Sequence, residues 1–252
     1  MLPVIGTASW AIPATDRDVF QAPGTSLERY ASVLRGTEVN SSFYRPHRRT
    51  TWERWAASVP DGFQFAAKMP KEISHVRRLV DARAPLERFL DQVTGLGDKL
   101  KLLLLQLPPS FAYDEATTSL FLDLVASLTD TPLVCEPRHG SWFELEAGRL
   151  LVSRRVARVA ADPASVPDAA HPGGWRGVTY MRLHGSPVMY RSAYGEDRLQ
   201  VYASRITEDV AAGRPVWCMF DNTAASAALG DALTMTKLLE VSCPISRPVR
   251  SH

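Results

Sequence analysis

Glu136-Pro-Arg-His-Gly-Ser-Trp142 places an acid, a guanidinium, an imidazole, a hydroxyl and an indole side by side. It follows Thr131-Pro-Leu-Val-Cys135, an apolar run short enough to be a buried strand. A charged cluster there must sit where the strand reaches the surface. Similar groups end the other short apolar runs: Ser9 and Trp10, Glu38 and Asn40, Lys68, Gln106, Asp162, Arg182 and His184, Asp221 and Asn222. The strand period of two puts Glu38 with Asn40, and Arg182 with His184, on shared faces.

Each residue type carries a definite chemistry. Lys68, Arg138 and Arg182 could clamp an anion, the guanidinium groups in a bidentate fork. Glu136 or Glu38 would act as general base or metal ligand, and His139 or His184 as general acid. His139 and His184 precede Gly140 and Gly185, which permit close approach of a ligand to the backbone. Trp10, Phe43, Tyr44 and Trp142 are packing aromatics or platforms for a base or sugar ring. His75 lies in a basic loop with Lys71, Arg77 and Arg78, and Tyr190 and Tyr194 read as loop residues that close over a ligand. The Glu/His/Asp mixture could hold a divalent metal, but cations at three of the same strand ends compete with it. No compact motif such as His-Glu-x-x-His occurs, and no other cofactor is implied.

The elements that must position these groups alternate. Strands are expected at Val4–Ser9, Gly36–Asn40, Phe63–Lys68, Leu100–Gln106, Leu133–Glu136, Arg158–Asp162, Val178–His184 and Val216–Asp221. Most are followed by a helical stretch, which implies a parallel sheet. The continuous leucines of Leu100–Gln106 suit a strand buried on both faces. The segment from Pro163 to Gly177, rich in Pro, Gly and Ala, leaves the sixth helix short or irregular. Gly6-Thr-Ala-Ser-Trp10 lacks the spacing of a dinucleotide fingerprint. The expected fold is a single-domain α/β protein, a TIM-type (β/α)8 barrel over residues 1–252 with a loose tail from about 244. Reactive groups then belong at the carboxyl ends of the strands.

Composition narrows the class. The chain has 252 residues, 45% of them hydrophobic, enough for a substantial core. Lys and Arg number 29 against 27 Asp and Glu, so any positive field must come from local clustering. Cys135, Cys218 and Cys243 form neither a disulfide framework nor zinc spacing, which fits a cytoplasmic location. Met1-Leu-Pro-Val-Ile reads as the start of a strand rather than a signal peptide, and no apolar run is long enough for a membrane span.

The motifs together resemble the YecE-like family, known as domain of unknown function 72. The stretches that carry the likeness are Gly6-Thr-Ala-Ser-Trp10, Glu38-Val-Asn-Ser-Ser-Phe-Tyr44, Trp52 with Trp55, and Phe63-Gln-Phe-Ala-Ala-Lys68 with Ser74-His75. They continue with Gln106-Leu-Pro-Pro-Ser-Phe111, the Glu136–Trp142 stretch, Tyr180-Met-Arg-Leu-His-Gly185 with Tyr190 and Tyr194, and Asp221-Asn222. The resemblance implies a TIM-type barrel and no settled activity; the family's likeness to endonuclease-IV-like barrels implies nucleic-acid binding or phosphodiester chemistry by analogy. Two positions depart from the family pattern. Asp221-Asn222 stands where a paired Asn-Asn is common, and Asp231-Ala232 where Asn-Ala is common.

The expected function is therefore an enzyme acting on a phosphate-bearing or nucleic-acid-like substrate, its partner an anionic small molecule or single-stranded or damaged nucleic acid. Glu38, Glu136, His139 and His184 are its candidate catalytic residues. Trp10, Asn40, Tyr44, Lys68, His75, Gln106, Arg138, Arg182, Tyr190, Tyr194 and Asn222 are its candidate substrate contacts. One alternative is a carbohydrate or sugar-phosphate hydrolase or isomerase using Glu38 and Glu136 as paired carboxylates. Another is a nucleic-acid or anion binding module without chemistry.

Overall fold

The structure, a computed structural model, describes residues 2–242. The tail expected from about 244, and Cys243, lie outside the described residues. Ten short strands form: β1 Val4–Thr7, β2 Gly36–Val39, β3 Gln64–Lys68, β4 Leu100–Gln106, β5 Leu133–Glu136, β6 Ala157–Arg158, β7 Ala160–Asp162, β8 Gly173–Gly174, β9 Thr179–Leu183 and β10 Val216–Phe220. Seven helices accompany them: α1 Ser26–Ala31, α2 Arg49–Ala57, α3 Arg83–Val93, α4 Glu115–Leu128, α5 Leu145–Ser153, α6 Glu196–Ala211 and α7 Ala228–Ser242. After β7 only a 3-10 turn, Pro167–Ala170, and β8 stand in for a helix. Local chemistry sets several starts. Thr25 and Glu28 form a capping box at α1, and Asp114 accepts from the Thr117 N–H at α4.

The closed eight-strand barrel is not what forms. The strands make two sheets, β1-β10-β9-β7 and β2-β3-β4-β5-β6-β8, parallel throughout except at β6/β8. The sheets meet at the sixth expected strand. It breaks at Val159, so that β6 pairs with β5 and β7 pairs with β9. Between β1 and β2 no backbone ladder closes the circle. Gly6 and Gly36 pack there so closely that a Cβ on Gly6 would strike the Gly36 carbonyl. The Tyr30 hydroxyl occupies the place of a ladder bond, accepting from the Thr7 N–H at 2.9 Å and donating to the Gly36 carbonyl at 3.1 Å. Tyr30→Phe should therefore leave two buried backbone groups unpaired and cost about 1–3 kcal/mol. A urea midpoint unchanged by that substitution would show that the seam does not depend on the hydroxyl.

Two apolar layers result. The outer one packs helices onto strands and holds Tyr30, Trp52, Phe65, Leu103, Phe121, Trp142 and Phe220. The inner one fills the centre with Val4, Ala66, Leu102, Leu104, Val134, Val159, Val178, Tyr180, Trp217 and Met219. Strand alternation carries that inner face upward from Ala66 to Lys68, Val134 to Glu136, Tyr180 to Arg182, and Met219 to Asp221. The site is the polar top of the inner core. Among the described residues no helix is long and apolar enough to cross a membrane.

Candidate functional site: a buried charge cluster at the carboxyl ends of the strands

Arg182 is the centre. It lies near the end of β9, and its side chain has no exposed surface. Its Nε donates to Glu38 Oε2 at 3.0 Å and its Nη2 to Glu38 Oε1 at 2.7 Å, a bidentate pair. Nη2 also reaches Asp221 Oδ2 at 2.8 Å, and Nη1 reaches Glu136 Oε2 at 2.5 Å. One guanidinium thus joins carboxylates from β2, from β5 and from the end of β10. The Tyr180 hydroxyl, two residues earlier on the same face, donates to Glu38 Oε2 at 2.8 Å.

A second tier lies above it. His184 Nε2 is 3.1 Å from Glu136 Oε1, and its Nδ1 is 3.1 Å from Asp221 Oδ2. Arg138 donates through Nε and Nη2 to Glu136 Oε1 at 3.1 and 2.9 Å. Burial favours the neutral form of Glu136, but Arg182, then His184 and Arg138, hold its carboxyl well below the usual range. Burial likewise opposes ionisation of Asp221, and Arg182 first, then His184, keep its pKa low.

Lys68 differs from every other charge in the cluster. Its side chain extends from the end of β3 over the Phe43 ring, with Nζ 4.2 Å from the centroid. It is only 4% exposed. Among the described residues its ammonium has no hydrogen bond and no ion pair. Burial lowers its pKa and Arg182 adds to this; Glu38, Glu136 and Asp221 oppose, and the balance lies at about 8. His75 packs edge-on against the same Phe43 ring at 4.9 Å, delivered by the π-helical turn Glu72–Val76. Burial depresses the His75 pKa, and Lys68, Arg138 and Lys71 depress it further.

The remaining expected residues divide into those at the mouth and those beneath or beside it. Asn40 donates to Asp221 Oδ1 at 3.2 Å, and its own Oδ1 is buried without a partner. Gln106 is half-buried and in register with Glu136. The Tyr190 hydroxyl accepts from Arg138 Nη1 at 3.2 Å and its ring lies edge-on to His184 at 5.4 Å, so it roofs the second tier. Its backbone has φ 66°, a left-handed conformation held by bonds to His184 and Ala224. Tyr44 is 68% exposed, its ring edge-on to Phe43. Trp10 packs against Trp55 at 5.0 Å.

Other residues hold the frame. Arg182 and Glu38, expected to meet a ligand, are spent on each other below the mouth. Tyr194 is buried: its hydroxyl accepts from the Gly185 N–H and donates to the Asp162 carbonyl, tying two strand ends together. His139 turns away from the cluster, and its Nδ1 accepts from the Ser141 N–H to cap a 3-10 turn. Asn222 donates to Asp231 Oδ2 at 2.7 Å and to the Ser192 carbonyl at 2.9 Å, pinning the loop that carries Tyr190. Trp142 is fully buried, its Nε1 donating to the Phe111 carbonyl. Asp221 had no assigned role in the sequence, yet its carboxylate is bonded by Arg182 and His184. Tyr180 was also missed; its signal is the two-residue step to Arg182.

A divalent metal would have to draw on Glu136, His184 and Asp221. Their oxygen and nitrogen atoms already face Arg182, Arg138 and one another. Among the described residues no group of three His, Cys, Asp or Glu side chains is arranged to hold one.

Fold and site together define an α/β protein of largely parallel strands with a buried ion cluster at their carboxyl ends. The chain belongs to the family described as "Protein of unknown function DUF72", whose profile matches residues 4–250. It is 23% identical to the UPF0759 protein YunF of Bacillus subtilis (strain 168), over 94% of each chain. It is 30% identical to the UPF0759 protein YecE of Escherichia coli (strain K12) over 174 residues, 67% of this chain and 61% of YecE. A solved DUF72 family protein from Enterococcus faecalis V583 shares the fold, with a TM-score of 0.80 at 18% identity, covering 98% of this chain and 97% of that one.

Proposed function

We propose that the mouth binds a small phosphate-bearing molecule and acts on it, the anion resting against Arg138, His75 and Lys71 with Lys68 just inside. One observation carries this reading. Lys68 and His75 meet on the Phe43 ring, Lys68 Nζ 4.2 Å from its centroid and His75 edge-on at 4.9 Å, and after burial it is the cations Lys68, Arg138 and Lys71 that lower the His75 pKa. The carboxylates Glu38, Glu136 and Asp221 are meanwhile committed to Arg182, Arg138 and His184. An incoming anion therefore meets Lys71, Lys68 and the Nη1 edge of Arg138 above carboxylates that are already engaged. His184, roofed by Tyr190 and hydrogen-bonded to Glu136 and Asp221, is the candidate group for moving a proton at the mouth.

A small molecule fits better than a nucleic-acid strand. A strand needs successive aromatic platforms, and here Trp10 is engaged with Trp55 and Phe43 with Lys68 and His75, leaving Tyr44 facing outward. Paired-acid carbohydrate hydrolysis fits less well, because the Arg182 guanidinium fills the space between Glu38 and Glu136. The test is calorimetric titration with inorganic phosphate. Binding should weaken about tenfold or more in His75→Ala and again in Arg138→Ala, as expected for charge-assisted bonds. Binding unchanged in the double variant, or no binding by the native protein, would sink the reading.

A further inference from the structure

We infer that Lys68 is a nucleophile that forms an imine with a small aldehyde or ketone, so that the molecule bound in the mouth is an anionic carbonyl compound. The inference rests on the anion reading for its phosphate and on independent geometry for its carbonyl.

A lysine kept only to balance the three buried acids would sit in ion-pair contact with one of them. Arg182 takes that place, and Lys68 stops short of all three. Its ammonium is instead held over an aromatic ring on a side chain only 4% exposed, with no hydrogen bond or ion pair to the described chain. Its backbone is fixed by Ser42 Oγ, which donates to the Lys68 carbonyl at 2.7 Å, so the side chain projects from a rigid strand end. Burial also makes the neutral amine available. With a pKa of about 8, roughly a tenth of it is unprotonated at pH 7, against less than about a thousandth for an ordinary lysine. Desolvation of this kind is how a lysine becomes a nucleophile at neutral pH.

The step balances within the site. The Lys68 amine adds to the carbonyl carbon, forming a C–N bond, and its proton passes to the carbonyl oxygen. The resulting carbinolamine hydroxyl takes a second proton and leaves as water, giving the protonated imine. His75 is placed to relay that proton. Its Nδ1 is engaged with Ser74 Oγ at 2.9 Å, which leaves Nε2 for the substrate. Arg138 and Lys71 would hold the phosphate during these steps.

Glycolaldehyde phosphate and glycolaldehyde are the probes, each incubated with the whole protein, reduced with sodium borohydride and mapped by peptide mass spectrometry. Lys99, Lys101 and Lys237, which lie outside the proposed site, are internal controls. The expected result is an adduct on Lys68 at least tenfold above those controls, with a rate that rises tenfold per pH unit and levels near pH 8. It should vanish in Lys68→Met, and in protein unfolded in guanidinium before exposure it should fall to the level of the control lysines. Equal labelling by both probes would keep the nucleophile and remove the anion reading. Phosphate binding with no adduct on Lys68 above the controls would overturn the imine and leave the anion reading standing.

Discussion

Arg182→Met should lower the unfolding free energy by about 3–5 kcal/mol, because breaking a buried ion cluster leaves uncompensated charge behind. Glu38, Glu136 and Asp221 would lose the guanidinium that reaches all of them, with His184, Tyr180 and Arg138 left to serve only some of the oxygens. Arg182→Lys should not rescue it, since one ammonium cannot supply the planar fork that Glu38 receives from Nε and Nη2. The loss should also have a signature in pH. In the native protein Glu136 and Asp221 titrate below their unfolded values. Their contribution is complete above the unfolded range near pH ~4 and is lost as pH falls through the folded values. Without Arg182, burial dominates and the carboxyls bind protons more readily folded than unfolded. Stability of the variant should then rise as pH falls from 7 toward 5, a window in which the native carboxylate contribution stays constant. Urea titrations at pH 7 and 5 measure both effects, and a change below about 1 kcal/mol at pH 7 would show that the cluster does not depend on Arg182.

Lys68→Met is expected to do the reverse: it should stabilise the fold while abolishing the function of the mouth. The folded pKa of about 8 lies below the unfolded value near 10.4, so the charged form is disfavoured by folding. The penalty is fully present below pH 8 and disappears as pH rises from the folded toward the unfolded value. At pH 7 the difference corresponds to about 3 kcal/mol, and a methionine of similar length should recover about 2–3 kcal/mol of it. Above pH ~10 the gain should shrink toward zero. A Lys68→Met protein no more stable than the native one at pH 7 would mean that the ammonium already has a compensating partner. Stability gained at a position where binding is lost is the usual mark of a residue retained for function.

Much of the site was legible from strand ends alone. Period-two alternation requires that an apolar strand reaching the surface end in polar groups on the same faces. That rule marked Glu38, Lys68, Glu136, Arg182 and His184, and the structure gathers all of them in one cluster at and beneath the mouth. It could not tell which would face a ligand. Arg182 and Lys68 are both cations at the end of an inward face, yet Arg182 stands where carboxylates from three strands reach it, and Lys68 stands over Phe43. Tyr190 and Tyr194 are equally alike in sequence. The bond from Tyr194 to Asp162 and Gly185 makes one a tie within the frame, while the left-handed turn at Tyr190 lifts the other over His184.

The amino-acid sequence by itself determined the order of strands and helices, the irregular segment after the sixth strand, and the membership in DUF72. These are carried by local patterns: hydrophobic period, capping residues, turn chemistry and contiguous motifs. Closure and charge pairing were decided only in three dimensions. Whether β1 meets β2 through a ladder or through Tyr30 depends on a side chain from the intervening helix α1. Whether a cation is spent or free depends on partners more than one hundred residues away, such as Glu38 for Arg182. Glu136-Pro-Arg-His-Gly-Ser-Trp142, which reads as a unit along the chain, divides in space for that reason. Glu136 and Arg138 join the cluster, His139 caps a turn, and Trp142 seats itself in the outer core.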